Sequence, residues 1–314
     1  MFWQAAALAA EPPPLALPVA CRLGETCWVM NYVDDDPGPA ALDFRCRPRS
    51  YDGHDGTDFA IRDAAAMAEG IPVVAAADGV VQGSRDGEPD GVFAAKGRAA
   101  VQDKECGNGM LIRHDGGLET QYCHLRRGSV VVKPGDRVTR GQTLGLVGFS
   151  GMSAFPHLHL TVRQQGKPLD PFTGRPPAEG CGKPGAALWA EAPPYEGAAL
   201  YAAGFSDHLP SGDELKADAR PDSRPIGRDR PLLLWAALFG GAPGDKVRLK
   251  LTGPGGETVV EHGETLDRAQ AWVSRSAGRR APATGWPPGR YGGEATLLRD
   301  GEAAQTRRVS VVMP

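Results

Sequence analysis

Between about residues 70 and 165, glycine and proline interrupt the chain so often that no long regular element can form there. What survives between the breaks is a series of short apolar runs: 71–76, a run opening at Gly79-Val80-Val81, 109–114, 118–124, 129–132, 142–149 and 158–163. Asp115-Gly116-Gly117 is a turn signal between two of them, so 109–124 reads as a hairpin. A long series of short strands with glycine turns predicts an all-β domain, barrel-like or sandwiched. With 42 glycines and 28 prolines spread without a period, the chain reads as turn-rich rather than low in complexity. Residues 83–105 are charged, glycine-rich and weakly periodic, and read as a long insertion loop between strands.

At 314 residues the chain suits two domains. Residues 173–230 are rich in Pro, Gly, Ala and Asp and read as a linker with a short helix near 213–219. From 231 a second strand-rich unit follows, with runs at 232–239, 246–251, 257–261, 269–276, 289–298 and 306–312. Six short strands in this space predict a small immunoglobulin-like β-sandwich over 231–314. His208 and His262 stand alone near and in this half and read as ordinary surface histidines. Met1–Ala10 is short and apolar, and Ala7-Leu8-Ala9 resembles a cleavage site without a preceding basic residue. Residues 1–20 are therefore expected to be a signal-peptide remnant or disordered tail, leaving 21–172 for the first domain.

The net charge of −3 argues against nucleic acid and against an anionic lipid surface. No apolar run is long enough for a membrane-crossing helix. Six cysteines, Cys21, Cys27, Cys46, Cys106, Cys123 and Cys181, form no Cys-x-x-Cys pair. That favours disulfides in an oxidising compartment over a zinc ribbon. The pairing does not follow from sequence. Cys106 and Cys123 flank the expected hairpin, which would bring them near each other.

The chemistry concentrates in four residues. His54 and Asp58 form His-x-x-x-Asp in a glycine-flanked loop; His157 and His159 form His-x-His at the entry of a strand. Two imidazoles and one carboxylate make a three-ligand zinc site with a fourth position left for water, as catalytic zinc sites have. Alternate strand residues share a face, so His157 and His159 point the same way, Cα atoms about 6–7 Å apart. One can bind a metal while the other lies beside the water. The His-Glu-x-x-His helix of other zinc peptidases is absent.

Gly53-His54-Asp55-Gly56-Thr57-Asp58-Phe59, Thr120-Gln121-Tyr122-Cys123-His124-Leu125, and Phe155-Pro156-His157-Leu158-His159-Leu160, with Lys133-Pro134-Gly135-Asp136-Arg137-Val138-Thr139-Arg140-Gly141-Gln142 between them, resemble the LytM/lysostaphin-like M23 zinc endopeptidases in order and spacing over about residues 45–172. The resemblance implies an antiparallel β-sheet groove with one Zn2+ on its floor. It implies His54, Asp58 and His159 as metal ligands and His124 and His157 as the catalytic pair. It implies hydrolysis of peptide crosslinks in bacterial peptidoglycan by a periplasmic or secreted enzyme. Catalytic zinc lowers the pKa of water towards about 7 and polarises a carbonyl, while a neutral histidine takes and returns the proton. Asn108 is a candidate for the substrate groove. Cys123 beside His124 departs from the general pattern; a bond to Cys106 would pin the strand that presents His124. The rival reading is a non-hydrolytic regulator of a cell-wall amidase. The C-terminal unit is expected to orient the enzyme on the wall, to bind a cell-wall protein partner or to occlude the groove.

Overall fold

The computed structural model describes residues 11–220 and 226–314, and it is nearly all β with few and short helices. The described residues divide into two compact units, 11–21, 32–59 and 70–194, and 22–31, 60–69, 195–220 and 226–314. The expected leader at 1–10 lies outside the described residues.

In the first unit an antiparallel sheet runs in the order Thr57–Ile61, His157–Gln164, Leu118–Leu125, Asn108–Arg113, Gly79–Arg85 and Arg137–Val138, and Lys167–Leu169 also pairs with His157–Gln164. Pro72–Val74 and Thr143–Leu146 form a separate small ladder. The period of two in His157–Gln164 sends Leu158, Leu160 and Val162 into the core, where all three are fully buried. Each such side chain stabilises the unit by about 1.5–3 kcal/mol. The opposite face of the same strand, His157, His159, Thr161 and Arg163, is left for chemistry.

Several expectations need correcting. Residues 11–20 are not a tail: Leu15 is buried, exchanges backbone hydrogen bonds with Leu188 and Ala190, and Val19 bridges Val73. Residues 83–105 are not a plain loop. They extend a strand to Arg85 and contain the helix Val92–Lys96 and the 3-10 turn Arg98–Val101. Asp86 accepts from Gly128 and Val130 N–H, and Asp90 accepts from Arg127 and Phe149 N–H, so the insertion is clamped at both ends of its first turn. Residues 129–132 form no strand; Val131 N–H reaches Leu144 O, but the Pro134-Gly135 turn ends the run before a ladder develops.

The segment expected as linker is also structured. Cys46–Cys181 closes it onto the first unit. Ala199–Ser206 is a buried strand that pairs antiparallel with Leu232–Gly241. The second unit therefore holds a three-stranded sheet, Ala199–Ser206, Leu232–Gly241 and Gln270–Arg279. It also holds a four-stranded sheet in the order Thr258–Thr265, Lys246–Thr252, Gly289–Arg299, Glu302–Met313. Leu234, Leu249, Leu251, Ala295 and Leu297 from both sheets share one core, the arrangement of a sandwich. The short helix is Gly212–Ala217, opened by a capping box between Ser211 and Glu214. His208 sits exposed between Asp207 and Glu214, and His262 lies on the exposed Thr258–Thr265 strand.

Behind the chemical face of the first unit, Tyr32, Phe44, Phe172 and Trp189 pack as an aromatic cluster, with Phe44 and Phe172 stacked at 5.0 Å. Beside it Asp35 is buried near Asp170, Asp43 and Asp34, and its Oδ1 makes no hydrogen bond. Burial, then the charge and hydrogen bond of Asp170 and the charges of Asp43 and Asp34, push the Asp35 carboxyl up to about 8. The unfolded carboxyl releases its proton near 3.8, so between the two values the folded state binds more protons and stability falls as pH rises. Asp35→Asn removes that penalty. It is expected to raise Tm by about 2–4 °C at pH ~8 and to leave Tm at pH ~4 nearly unchanged. Equal Tm values for variant and parent at both pH values would contradict the assignment.

Candidate active site

The loop 51–56 and three strands deliver five groups to one place. His54 stands on the loop, its N–H held by Tyr51 O, while Asp58 enters the strand Thr57–Ile61. Gly56 has to be glycine here: a Cβ would sit 2.5 Å from His159 Nε2. Cys123 pairs with His159 and Gln121 with Thr161, so these partners share the chemical face. His124, the next residue, would point to the opposite face of a regular strand. Its backbone instead adopts φ 68°, the left-handed region, and its N–H bonds Cys106 O in place of a ladder partner. That bulge turns His124 back toward His157 and His159, with ring centroids at 4.8 and 5.8 Å. Across the bulge Gly109 is obligatory, because a Cβ would lie 1.9 Å from Tyr122 O.

His54 Nε2, Asp58 Oδ1 and His159 Nδ1 converge, with separations of 3.1, 3.1 and 2.9 Å. Among the described residues this is the one group of His, Cys, Asp or Glu side chains placed to hold a metal. The hydrogen-bond directions decide what the three atoms present. His54 Nδ1 is 2.6 Å from Tyr32 O; a carbonyl only accepts, so Nδ1 carries the hydrogen and Nε2 offers a lone pair. His159 Nε2 lies 2.9 Å from Thr161 Oγ1, leaving Nδ1 as its inward atom. Three lone pairs this close repel one another unless positive charge lies at their focus. Their spacing is near the edge of about 3.3 Å of a tetrahedron with zinc-like bonds of about 2.0–2.1 Å. The donor set therefore fits a zinc-type ion.

The charges agree. Burial pushes Asp58 up, but its neighbours His54, His157 and His159 overcome it and hold the carboxyl well below the usual range. Burial pulls His159 down, yet Asp55 and Asp58 raise it to about 9. His124 goes the other way: burial, then His157 and His159, depress it well below 6.5.

His157 and His124 are fixed in matching states. His157 Nδ1 donates to Phe155 O at 2.7 Å, and its Nε2 stands 3.4 Å from Asp58 Oδ1. His124 Nδ1 donates to Ser150 O at 2.8 Å. Each therefore leaves Nε2 as the nitrogen that can accept a proton and afterwards return it.

Residues 52–171 match the family description "Peptidase family M23". The match covers this segment and not the rest of the 314 residues. The matched segment is similar to DD-carboxypeptidase/endopeptidase Mpg of Neisseria meningitidis, 36% identical over 120 residues, covering 38% of this chain and 22% of that protein. It is similar to peptidoglycan DD-endopeptidase ShyA of Vibrio cholerae, 34% identical over 117 residues, covering 37% of this chain and 22% of that one. The chain thus spans about a fifth of the length of these curated relatives. A zinc containing peptidase from Vibrio cholerae shares 25% identity over 50% of this chain and 37% of its own, with a TM-score of 0.32.

All five histidines and carboxylates anticipated for the M23 site come together; Asn108 does not join them. It is fully buried, its Nδ2 donates to Glu88 O and Leu125 O, and its Oδ1 accepts from Glu88 N–H. With its amide saturated it fastens the insertion to the sheet and offers nothing to a substrate. The cavity beside the site, about 350 Å3, is instead lined by Tyr51, Asp55, Arg98, Glu105, Gln121 and Arg163 among others. Tyr51 lies against His54 with ring centroids 4.4 Å apart and the planes tilted by 32°. Asp55, Thr161 and Arg163 carried no recognisable signal beyond their place beside the ligands.

Cys106 and Cys123 are joined, Cα atoms 4.8 Å apart, and the described residues contain no free cysteine. The bond ties the insertion to the strand end that carries His124. Peptide mapping without reduction is expected to recover the linked pair; free thiols at both positions would contradict it. Replacing both by serine is expected to cost about 2–4 kcal/mol of stability, read by urea unfolding.

Proposed function

We propose that this chain is a zinc-dependent endopeptidase that hydrolyses peptide crosslinks of bacterial peptidoglycan, in the periplasm or outside the cell. The carrying observation is the convergence of His54 Nε2, Asp58 Oδ1 and His159 Nδ1 beside two histidines whose Nε2 atoms can accept a proton. His54, Asp58 and His159 would hold the ion. When bound, zinc supplies Lewis acidity, making a water more acidic and a carbonyl more electrophilic.

The remaining chemistry belongs to the chain. His124 is neutral through the physiological range and can take a proton at Nε2. His157 presents Nε2 on the same side; one of the two histidines accepts the water proton there, and the Nε2–H so formed can hydrogen-bond the developing oxyanion. The proton then passes to the leaving amine. The carbonyls of Ser150 and Phe155 keep both rings from rotating during the cycle. The disulfides fit an oxidising compartment, and among the described residues no helix is long and apolar enough to cross a membrane. The similarity to enzymes named peptidoglycan endopeptidases supports the choice of substrate.

The test is digestion of purified Gram-negative peptidoglycan by the zinc-loaded chain, with products resolved by mass spectrometry. Crosslinked dimers should convert to monomers. An unchanged profile with zinc bound would overturn the reading and favour a non-hydrolytic regulator of a cell-wall amidase.

A further inference from the structure

On the groove side of His159 lies a chain of hydrogen bonds with a direction. Arg163 Nη2 donates to Asp55 Oδ2 at 3.0 Å, and its Nη1 donates to Gln121 Oε1 at 2.6 Å. Asp55 Oδ1 faces Thr161 Oγ1 at 3.5 Å and His159 Nε2 at 3.4 Å. Thr161 Oγ1 is the nearer partner of His159 Nε2, at 2.9 Å. A carboxylate only accepts, so the Thr161 hydroxyl hydrogen points to Asp55 and its lone pair faces His159. Nε2 must then carry the ring hydrogen, and Nδ1 is left bare toward His54 and Asp58. Without the Asp55 charge the hydroxyl can turn round and donate to Nε2, which moves the ring hydrogen to Nδ1 and removes a ligand. Asp55 cannot hold this position alone: its side chain is 43% exposed on a loop, whereas Arg163 is 23% exposed on a strand.

We propose that Arg163 is a positioning residue for metal binding: it locks Asp55, and Asp55 acting through Thr161 fixes the His159 tautomer that presents Nδ1 to the ion. The inference rests on the reading of His54, Asp58 and His159 as ligands. It concerns residues that touch neither the ion nor the scissile bond.

The experiment measures zinc affinity of the full chain by competition with a chelating dye, with the cobalt absorption spectrum as a second readout. Asp55→Asn and Arg163→Met should each weaken zinc binding by about 10–100-fold. The double variant should be no weaker than the worse single, because both act through one path. Arg163→Lys keeps the charge without the fork and should fall between; it carries the same test if Arg163→Met does not fold. Wild-type affinity in the single variants, or losses that multiply in the double, would overturn the proposal. A parent chain that binds no zinc would instead overturn the ligand assignment itself.

Discussion

Replacing His159 by alanine will yield a chain that no longer retains zinc through desalting and cleaves crosslinked dimers at least about a thousandfold more slowly. The size follows from the site. Removing Nδ1 leaves His54 Nε2 and Asp58 Oδ1 as the only two of the three converging atoms, one short of the three protein ligands of a catalytic zinc. Lewis-acid stabilisation of a transition state is worth several kcal/mol, and each 1.36 kcal/mol is tenfold in rate. Metal content by mass spectrometry and turnover on isolated dimers read the two effects separately. A variant that keeps one equivalent of zinc would remove His159 from the ligand set.

His124→Ala and His157→Ala will separate turnover from metal binding. Each is expected to lower kcat by about 10²–10⁴-fold while zinc stays bound, the range for a positioned acid–base group. Because the two rings face each other at 4.8 Å and act on one proton path, the double variant should be far less than the product of the singles. Loss of zinc in either single variant would reassign that histidine as a ligand.

How these groups meet was legible only in part. His157 and His159 could be placed on one face because strand periodicity is strict. His54 and Asp58 could be recognised but not positioned, since their loop is shaped by Gly56 against His159, a contact a hundred residues distant. His124 breaks strand alternation through a left-handed residue, which no local pattern announces. Ala199–Ser206 was hidden by composition: alanine and glycine are weak strand formers, and burial on both faces erases the alternation that marks a strand. A truncation at residue 231 would cut this strand from its partner Leu232–Gly241, so it cannot serve as a domain boundary in experiments. Asn108 misled because a polar residue near a site looks like a ligand until its hydrogen bonds are traced.

Residues 86–107, which bring Arg98 and Glu105 to the cavity, are fastened by Asp86, Asp90, Asn108 and the Cys106–Cys123 bond. On the proposed function, a substrate entering beside this segment would meet a surface that needs no ordering on binding, so little affinity would be lost to entropy. The same stiffness prevents the groove from reshaping around a poorly fitting peptide. On the proposed function, selectivity would be a matter of rejection, with mismatched backbones excluded by a boundary that does not yield.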